Sequence, residues 1–321
     1  MSGGRITGAL VSDAALAVCL AGARPDLAAA PAVAGPAALA SPSYLALESR
    51  SLRIDAPEGP LFLKVMHPEM RTGFDLTAAM ALATAAGAEG IAPEVLWSDA
   101  AEGAILMRDP GTAWTAARQS HLQDPAVVGA VLAALRRLHA LPALGTRFDA
   151  FAQIDALLDR ARASGVALPQ DIGWVMALLE PLRAPLAAAP TVPCRNDGSA
   201  SNLLVGPDAA VLLVDFDRAG QNDPMYDLGV LLAEITDFEA DMIAPAAAYM
   251  GAFEPAGFAR ARLWSIVDDV MHCLWARVSG VGSVRGAVEW LKYSEWRIMR
   301  ARLGLRHPQF EEKVRSAGGQ A

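Results

Sequence analysis

From residue 111 to residue 320 the apolar residues of this chain recur mostly at three- and four-residue steps, with one clear exception. There Leu203-Leu204-Val205 and Val211-Leu212-Leu213-Val214 flank Gly206-Pro207-Asp208. Two short apolar runs around a Gly-Pro-Asp turn read as a β-hairpin. Such a hairpin constrains a helical region strongly, because it brings its own two ends together. It predicts that Asn202, just before it, and Asp215, just after it, lie near each other. Asp197 sits a few residues ahead of Asn202, on the loop that leads in.

This grouping suits one kind of chemistry. Clustered oxygen donors fit Mg²⁺, which takes one or two carboxylates and completes its shell with water and phosphate oxygens. One further carboxylate is then left to orient or deprotonate a hydroxyl. An aspartate near the hydroxyl, with an asparagine and a second aspartate on the metal, is the division of labour used in phosphoryl transfer.

The surrounding pattern gives the fold class. Val127, Val128, Val131, Leu132, Leu135 and Leu138 form one helical face, and residues 151–163 and 173–188 repeat that period. Asp223 is a candidate N-cap with Pro224 at the first helical position, and residues 225–320 read as several helices. Before residue 111 the reading differs. Residues 12–23 look helical and 29–42, rich in Pro, Ala and Gly, read as a connection. Strands are expected over Ser43–Ile54 and Leu61–Met66, around a turn at residues 56–60. A helix over 74–89 ends at Gly90 and Pro93, and Glu94–Trp97 and Ala104–Met107 read as strands around a turn at Asp99–Gly103. The chain is therefore expected to be α+β in two lobes, residues 1–110 and 111–321. Ligands often sit at such a junction.

Composition removes several alternatives. A net charge of −8 gives no electrostatic footprint for general nucleic-acid binding. Cys19, Cys194 and Cys273 lie far apart, form no disulfide framework, and fit a reducing compartment. With scattered histidines they do not suggest a metal site either. The uncharged run Leu27–Leu47 contains Pro31, Pro36 and Pro42, so it reads as a connection and strand start rather than a membrane span. The apolar stretch Ala14–Ala23 follows Arg5 but also Asp13, which favours an amphipathic helix over a signal peptide. A cytoplasmic protein without membrane partners is expected. The chain has 24 arginines but only three lysines, Lys64, Lys292 and Lys313. Lys64 stands inside the apolar run Leu61–Val65, where burial needs an anion such as a nucleotide phosphate. The plainer reading is an edge-strand lysine turned to water.

Taken together, the spacing resembles the choline/ethanolamine kinase and aminoglycoside phosphotransferase superfamily, whose fold is protein-kinase-like. The matching pieces run from about residue 44 to 300. They are Phe62-Leu63-Lys64-Val65, Gly90-Ile91-Ala92-Pro93-Glu94-Val95-Leu96, Ala104-Ile105-Leu106-Met107 and Leu135-Arg136-Arg137-Leu138-His139. The most specific are Cys194-Arg195-Asn196-Asp197 with Asn202, and Asp215 to Pro224 with Tyr226-Asp227-Leu228. The last block points to the choline-kinase-like branch. The resemblance implies a small N-terminal antiparallel sheet lobe that binds nucleotide and a larger helical catalytic lobe. It implies ATP and Mg²⁺ as cofactors. Asp197 would be the catalytic aspartate, Asn202 and Asp215 the metal ligands, and Lys64 the group that holds the phosphates. Met107 would border the adenine, Glu48, Ser49 and Asp217 would belong to the cofactor site, and Asp227 would brace the catalytic loop. For Asp227 the simpler alternative is an acid favoured by the helix dipole in a first turn.

Three departures stand out. The stretch aligned with the phosphate-covering loop, Tyr44–Arg50, has no glycine. The acid expected to pair with the strand lysine falls near Ala78 or Ala79, with Asp75 about a turn away. Arg195 stands where a histidine is usual. Glu48 or Asp75 is expected to replace the missing acid beside Lys64. For the acceptor, Trp264, Trp275, Trp290, Trp296, Tyr249 and Tyr293, with Asp268, Asp269, Glu289, Glu295 and His272, fit either a helical core or an aromatic and acidic pocket for an amine. An amino alcohol such as choline or ethanolamine is the favoured acceptor; an uncharged, aminoglycoside-like sugar or another hydroxylated metabolite, such as a hydroxylated amino acid, is the second. A degenerate kinase acting as a binding module is the non-enzymatic alternative. His139 is expected to be structural, and Arg297, Arg300, Arg302 and Arg306 to form a solvated helix face.

Overall fold

The Ala15 N–H donates to the Ser12 hydroxyl and so starts helix α1 (Asp13–Ala23). The structure is a computed structural model that describes residues 10–40, 44–286 and 288–319. After α1 come short strands β1 (Ala32–Ala34), β2 (Leu39–Ala40) and β3 (Tyr44–Leu45), then β4 (Ser49–Ala56) and β5 (Gly59–Met66). Helix α2 (Leu76–Ala88) is capped by Asp75, and β6 (Val95–Asp99) and β7 (Ala104–Arg108) follow. These strands form an antiparallel sheet in the order β1-β4-β5-β7-β6.

Two expectations change here. The segment 29–42 is not only a connection: β1 pairs with β4, and β2 pairs with β3. The three β1 side chains are exposed, so backbone hydrogen bonds alone add the strand, and they leave no apolar alternation to read. The strand expected over Ser43–Ile54 begins at Ser43, which lies outside the described residues. Its remainder is divided at Ala46, which takes a left-handed φ of 52°. The resulting turn carries Leu47 and Glu48 inward, and both are buried.

Alternation along β5 sorts its side chains. Leu61, Leu63 and Val65 pack with Ile54 and with Leu16 and Leu20 of α1 on one face. Lys64, between Leu63 and Val65, therefore turns to the opposite face, towards the helical region. In register it pairs with Ser51 of β4 and Ile105 of β7, so it sits in the middle of the sheet rather than at an edge.

The remaining chain is mainly helical. It runs through β8 (Thr115–Ala116), α3 (Pro125–His139), α4 (Ala150–Ala163), α5 (Ile172–Leu179) and α6 (Arg183–Ala187). Pro181 and Pro185 help break the single helix expected over 173–188 into α5, a short tight turn and α6. Then come β9 (Val192–Cys194), β10 (Leu203–Val205), β11 (Val211–Leu213) and β12 (Gly220–Asn222). Helices α7 (Pro224–Ile235), α8 (Glu239–Met250), α9 (Pro255–Gly282), α10 (Trp290–Leu305) and α11 (Phe310–Ala317) complete the chain. Helix α9 is the centre of this region and is buried around its middle, with α4, α7, α10 and α11 packed against it.

The architecture is thus α+β, an N-terminal antiparallel sheet followed by a larger helical region. Among the described residues no helix is long and apolar enough to cross a membrane. One charge reading is corrected. Arg297 and Arg300 are buried rather than solvated, because they pair with acids on neighbouring helices: Arg297 with Asp268 and Asp269, Arg300 with Asp269 and Glu234. Arg302 pairs with Asp171, and Arg306 lies over the Trp174 ring.

Candidate active site

The hairpin is present as β10 paired with β11, Leu203 opposite Leu213. Its closure brings the flanks together, and the Val214 N–H donates to the Asn202 carbonyl at 3.1 Å. The Arg195 guanidinium donates to the carbonyls of both Asn202 and Val214. Arg195 is buried, so these carbonyls, more than solvent, satisfy its charge. The residue that departs from the family pattern thus clamps the two ends of the hairpin.

Asp227 braces the same loop. It lies in the first turn of α7, and its two carboxylate oxygens accept the N–H groups of Arg195 (2.9 Å) and Asn196 (2.7 Å). His139, at the end of α3, lies 3.0 Å from Asp227 and also bonds the Tyr249 hydroxyl. The helix-dipole position and the bracing position therefore coincide in one residue. Asn196 has a left-handed φ of 57°, and its side-chain amide donates to the carbonyl of Arg218 at 2.9 Å. Asparagine tolerates this region better than most residues, since its short polar side chain bonds locally.

Asp197 is buried at the end of this loop. One carboxylate oxygen accepts the Ser199 N–H at 2.8 Å. The other accepts the Asn202 side-chain amide and the Tyr44 hydroxyl, each at 2.9 Å. Tyr44 was not among the expected site residues. Its signal in the sequence is faint: it is the lone aromatic in the uncharged run from Leu27 to Leu47. Its ring lies 5.3 Å from Tyr293, edge-on, and about as far as 6 Å from Trp275 and His272.

Lys64 bonds Asp215 and Asp217, both at 2.8 Å. Burial works against its charge, but the two carboxylates hold the ammonium above the usual lysine range. Burial, together with the charge of Asp215, pushes the Asp217 carboxyl up to about 6. Asp215 is held below the usual range: burial opposes this, and Lys64 overcomes it. Asp215 also has a left-handed φ of 63°, unusual for a residue other than glycine and typical of sites whose surroundings fix the backbone.

Neither Glu48 nor Asp75 forms an ion pair with Lys64 among the described residues, so the expected replacement acid is not found. Asp75 is engaged elsewhere, accepting the Ala78 N–H and the Thr146 hydroxyl. Glu48 approaches Arg218 at 3.9 Å. Burial, then the charge of Asp215, pushes its carboxyl up to about 8. Where the acid was sought, Ala79 lines a cavity of about 40 Å³ that Lys64, Asp215 and Asp217 also border.

A cleft of about 270 Å³ connects these groups. Lys64, Asn202 and Asp215 mark one end, and Ser49 also lines it. Phe62, Met107, Leu204 and Val214 supply apolar walls, and the chain from Arg108 to Gly111 closes a side. Glu48, Asp197 and Asp217 do not line this cleft. The donor set at its end consists of carboxylate and amide oxygens, which fits a hard cation such as Mg²⁺.

The aromatic and acidic residues proposed for the acceptor are mostly internally paired. Asp268 is bonded to the Tyr226 hydroxyl, His272 and Arg297, and Asp269 faces Arg297 and Arg300. The Trp264 indole donates to Asp223, which also caps α7 and pairs with Arg260. For these residues the core reading holds.

The sequence profile described as the phosphotransferase enzyme family matches residues 46–264. Among solved structures, a choline/ethanolamine kinase family protein from Mesorhizobium loti is 24% identical, with 94% of this chain and 99% of that chain covered and a TM-score of 0.76. The choline kinase LicA from Streptococcus pneumoniae is 15% identical, with 79% and 89% covered and a TM-score of 0.67. Spectinomycin phosphotransferase, solved with ADP and spectinomycin, is 11% identical, with 86% and 92% covered and a TM-score of 0.55. At these identities the likeness is one of fold, the protein-kinase-like architecture expected from the sequence. No curated protein sequence matches significantly.

Proposed function

The chain belongs to the phosphotransferase enzyme family, and from that premise we propose that it transfers the γ-phosphoryl group of ATP to a hydroxyl of a small molecule. The observation that carries this reading is the meeting of two clusters. Lys64 with Asp215 and Asp217, and Asp197 with Asn202, come together through one strand and one hairpin.

Each residue has a part that its surroundings support. Lys64 stays charged and can neutralise phosphate oxygens at the end of the cleft. The apolar walls from Phe62, Met107, Leu204 and Val214 suit a flat base. Asn202 and Asp215 would hold Mg²⁺, the Asn202 amide nitrogen being turned to Asp197 and its oxygen left for a cation. The bound ion would supply charge neutralisation on the phosphates. Asp197, oriented by the Ser199 N–H and the Asn202 amide, would accept the hydrogen bond of the acceptor hydroxyl. That position is taken by the Tyr44 hydroxyl, so Tyr44 must yield it when an acceptor binds.

Two of the three structures described above are named for choline or ethanolamine, which keeps an amino alcohol as one reading of the acceptor. The chain's own residues give it less support, since Asp268 and Asp269 are already paired with arginines. The binding-module reading is disfavoured by the complete set Asp197, Asn202 and Asp215.

The test pairs nucleotide binding with turnover. ATP or ADP with Mg²⁺ should raise the melting temperature, and a suitable acceptor should release ADP above background. Asp197→Ala should keep the nucleotide shift and lower kcat by about 10²–10⁴-fold, the range of general acid–base catalysis. Unchanged turnover in that variant removes Asp197 from the mechanism, and no nucleotide shift in the wild type favours the binding module.

A further inference from the structure

Arg218 differs from the other buried arginines near the site. Arg195 donates to two carbonyls and Arg297 pairs with two aspartates. Arg218 is only 6% exposed, yet its guanidinium donates no hydrogen bond among the described residues, and its enclosed Nη2 is left without a partner. Glu48 lies 3.9 Å from Nη2, too far to accept a hydrogen bond. Arg195 and Arg297 also leave one guanidinium nitrogen unpartnered, but each donates through another, so Arg218 is set apart by having no acceptor at any of its nitrogens among the described residues.

Its setting indicates which ligand. The guanidinium carbon lies 5.0 Å from the Phe74 ring centre and 5.4 Å from that of Trp275. The aromatic slot that could have held a ligand's ammonium is therefore filled by the chain's own cation. The slot is close to the proposed reaction centre, since Trp275 also touches Tyr44, which bonds Asp197. Arg218 further lines a cavity of about 100 Å³ together with Asp217, Thr146, Arg147 and Gln153. Asp75, in the same lining, is bonded to Thr146, and Asp217 to Lys64. The lining thus holds two aspartates and two arginines, but both carboxylates already accept hydrogen bonds, whereas the Arg218 guanidinium has donors to spare. An ammonium placed against the Arg218 guanidinium would meet like charge, whereas a carboxylate or phosphate would complete the hydrogen bonds that Arg218 lacks.

We propose that the phosphoryl acceptor carries an anionic group and that Arg218 is the residue that binds it. The acceptor class is then a hydroxy acid or a hydroxylated phosphate ester, not an amino alcohol. This rests on the cleft being a phosphotransferase site as proposed above. The hydroxyl oxygen of the acceptor bonds to the γ-phosphorus of ATP, the bond from that phosphorus to the β–γ bridging oxygen breaks, and ADP leaves. The hydroxyl proton passes to Asp197 or to solvent.

The test uses the full chain with four probes: glycerate, glycerol phosphate, choline and ethanolamine. Each is added to the protein already saturated with ADP and Mg²⁺, and the further thermal shift is read. ADP release from ATP is then measured with the same four. Arg218→Met keeps an unbranched, apolar-stemmed side chain but removes the charge and the donors, and Arg218→Lys restores charge without the planar fork. The backbone carbonyl that Asn196 bonds is present in both variants. At least one anionic probe should add stabilisation to the wild type, and the better of the two separates carboxylate from phosphate recognition. In Arg218→Met its Kd or KM should rise by about 10–100-fold, the worth of hydrogen bonds to a charged group. Arg218→Lys should fall between. Choline and ethanolamine should add nothing. The proposal is overturned if choline or ethanolamine binds or turns over as well as the anions. It is equally overturned if nucleotide binds but neither anion adds a shift, or if Arg218→Met leaves anion affinity unchanged. Loss of the ADP shift itself would instead strike at the phosphotransferase reading.

Discussion

The proposed phosphate side of the cleft is built from few pieces of chain. Lys64 comes from β5, and Asp197, Asn202, Asp215 and Asp217 come from one hairpin and its flanks. On the proposed acceptor side, Tyr44 comes from β3, Phe74 from the segment before α2, and Arg218 from the segment after β11. His272 and Trp275 come from α9 and Tyr293 from α10. The first side is held by charge-assisted bonds with defined geometry, the second by aromatic packing around a cation. Directional bonds fix a geometry for phosphate and metal. Packing between distant elements can be refilled, so the acceptor can differ between proteins that share the fold.

That contrast can be broken most directly at Lys64. Lys64→Met leaves Asp215 and Asp217 facing each other without the cation between them. Removing a charged hydrogen-bond partner from this half-buried cluster costs about 1.5–3 kcal/mol. Steady-state kinetics should show kcat/KM for ATP reduced by at least about 100-fold. A change below tenfold would mean that the phosphate side is no more tightly specified than the acceptor side.

The next largest effect is expected at the brace. Asp227→Asn weakens the acceptance of two backbone N–H groups and the contact with His139. A cost of about 2 kcal/mol is expected for a hydrogen-bonded charged group, read as a lowered denaturant midpoint. Since both N–H groups belong to the loop before Asp197, kcat should fall more than nucleotide affinity.

Glu48 links the two sides, and its effect should appear as a slope with pH. Its carboxyl is raised in the folded protein from an ordinary 4.5 to about 8, first by burial. Over that window the folded state holds a proton that the unfolded state has lost, so stability is present below the window and declines as pH rises through it. In nucleotide-free protein, Glu48→Gln should flatten the decline. An equal slope in the variant would show that Glu48 titrates normally.

The smallest change is expected in the turn between β3 and β4. Ala46 has a φ of 52° in a stretch without glycine. Ala46→Gly relieves the left-handed strain but frees the unfolded chain, so stability should shift by no more than about 1 kcal/mol. Nucleotide affinity measured alongside should change by only a few-fold.

Much of this was legible beforehand, for physical reasons that differ from place to place. The β10–β11 hairpin was readable because turn chemistry and apolar runs are local, and a hairpin joins its own flanks. Asp223 as the cap of α7 was readable in the same way, whereas the bracing position of Asp227 came only from the family resemblance. Lys64 stood out because lysine is scarce here and its neighbours are apolar. The break at Ala46 was not readable, since nothing in Tyr44–Arg50 demands a turn. The burial of Arg297 and Arg300 was missed because periodicity shows which residues share a face but not what that face meets.

By itself, then, the sequence determined the α+β order of elements and the grouping of Asp197, Asn202 and Asp215, both consequences of short-range patterns. Only the tertiary structure decided that Lys64 pairs with Asp215 and Asp217, that Tyr44 reaches Asp197, and that the Arg218 guanidinium lies against Phe74 and Trp275 with no acceptor among the described residues. Tyr44 and Asp197 are 153 residues apart along the chain. Contacts of that kind depend on how whole elements dock, and on which charges find partners once water is excluded.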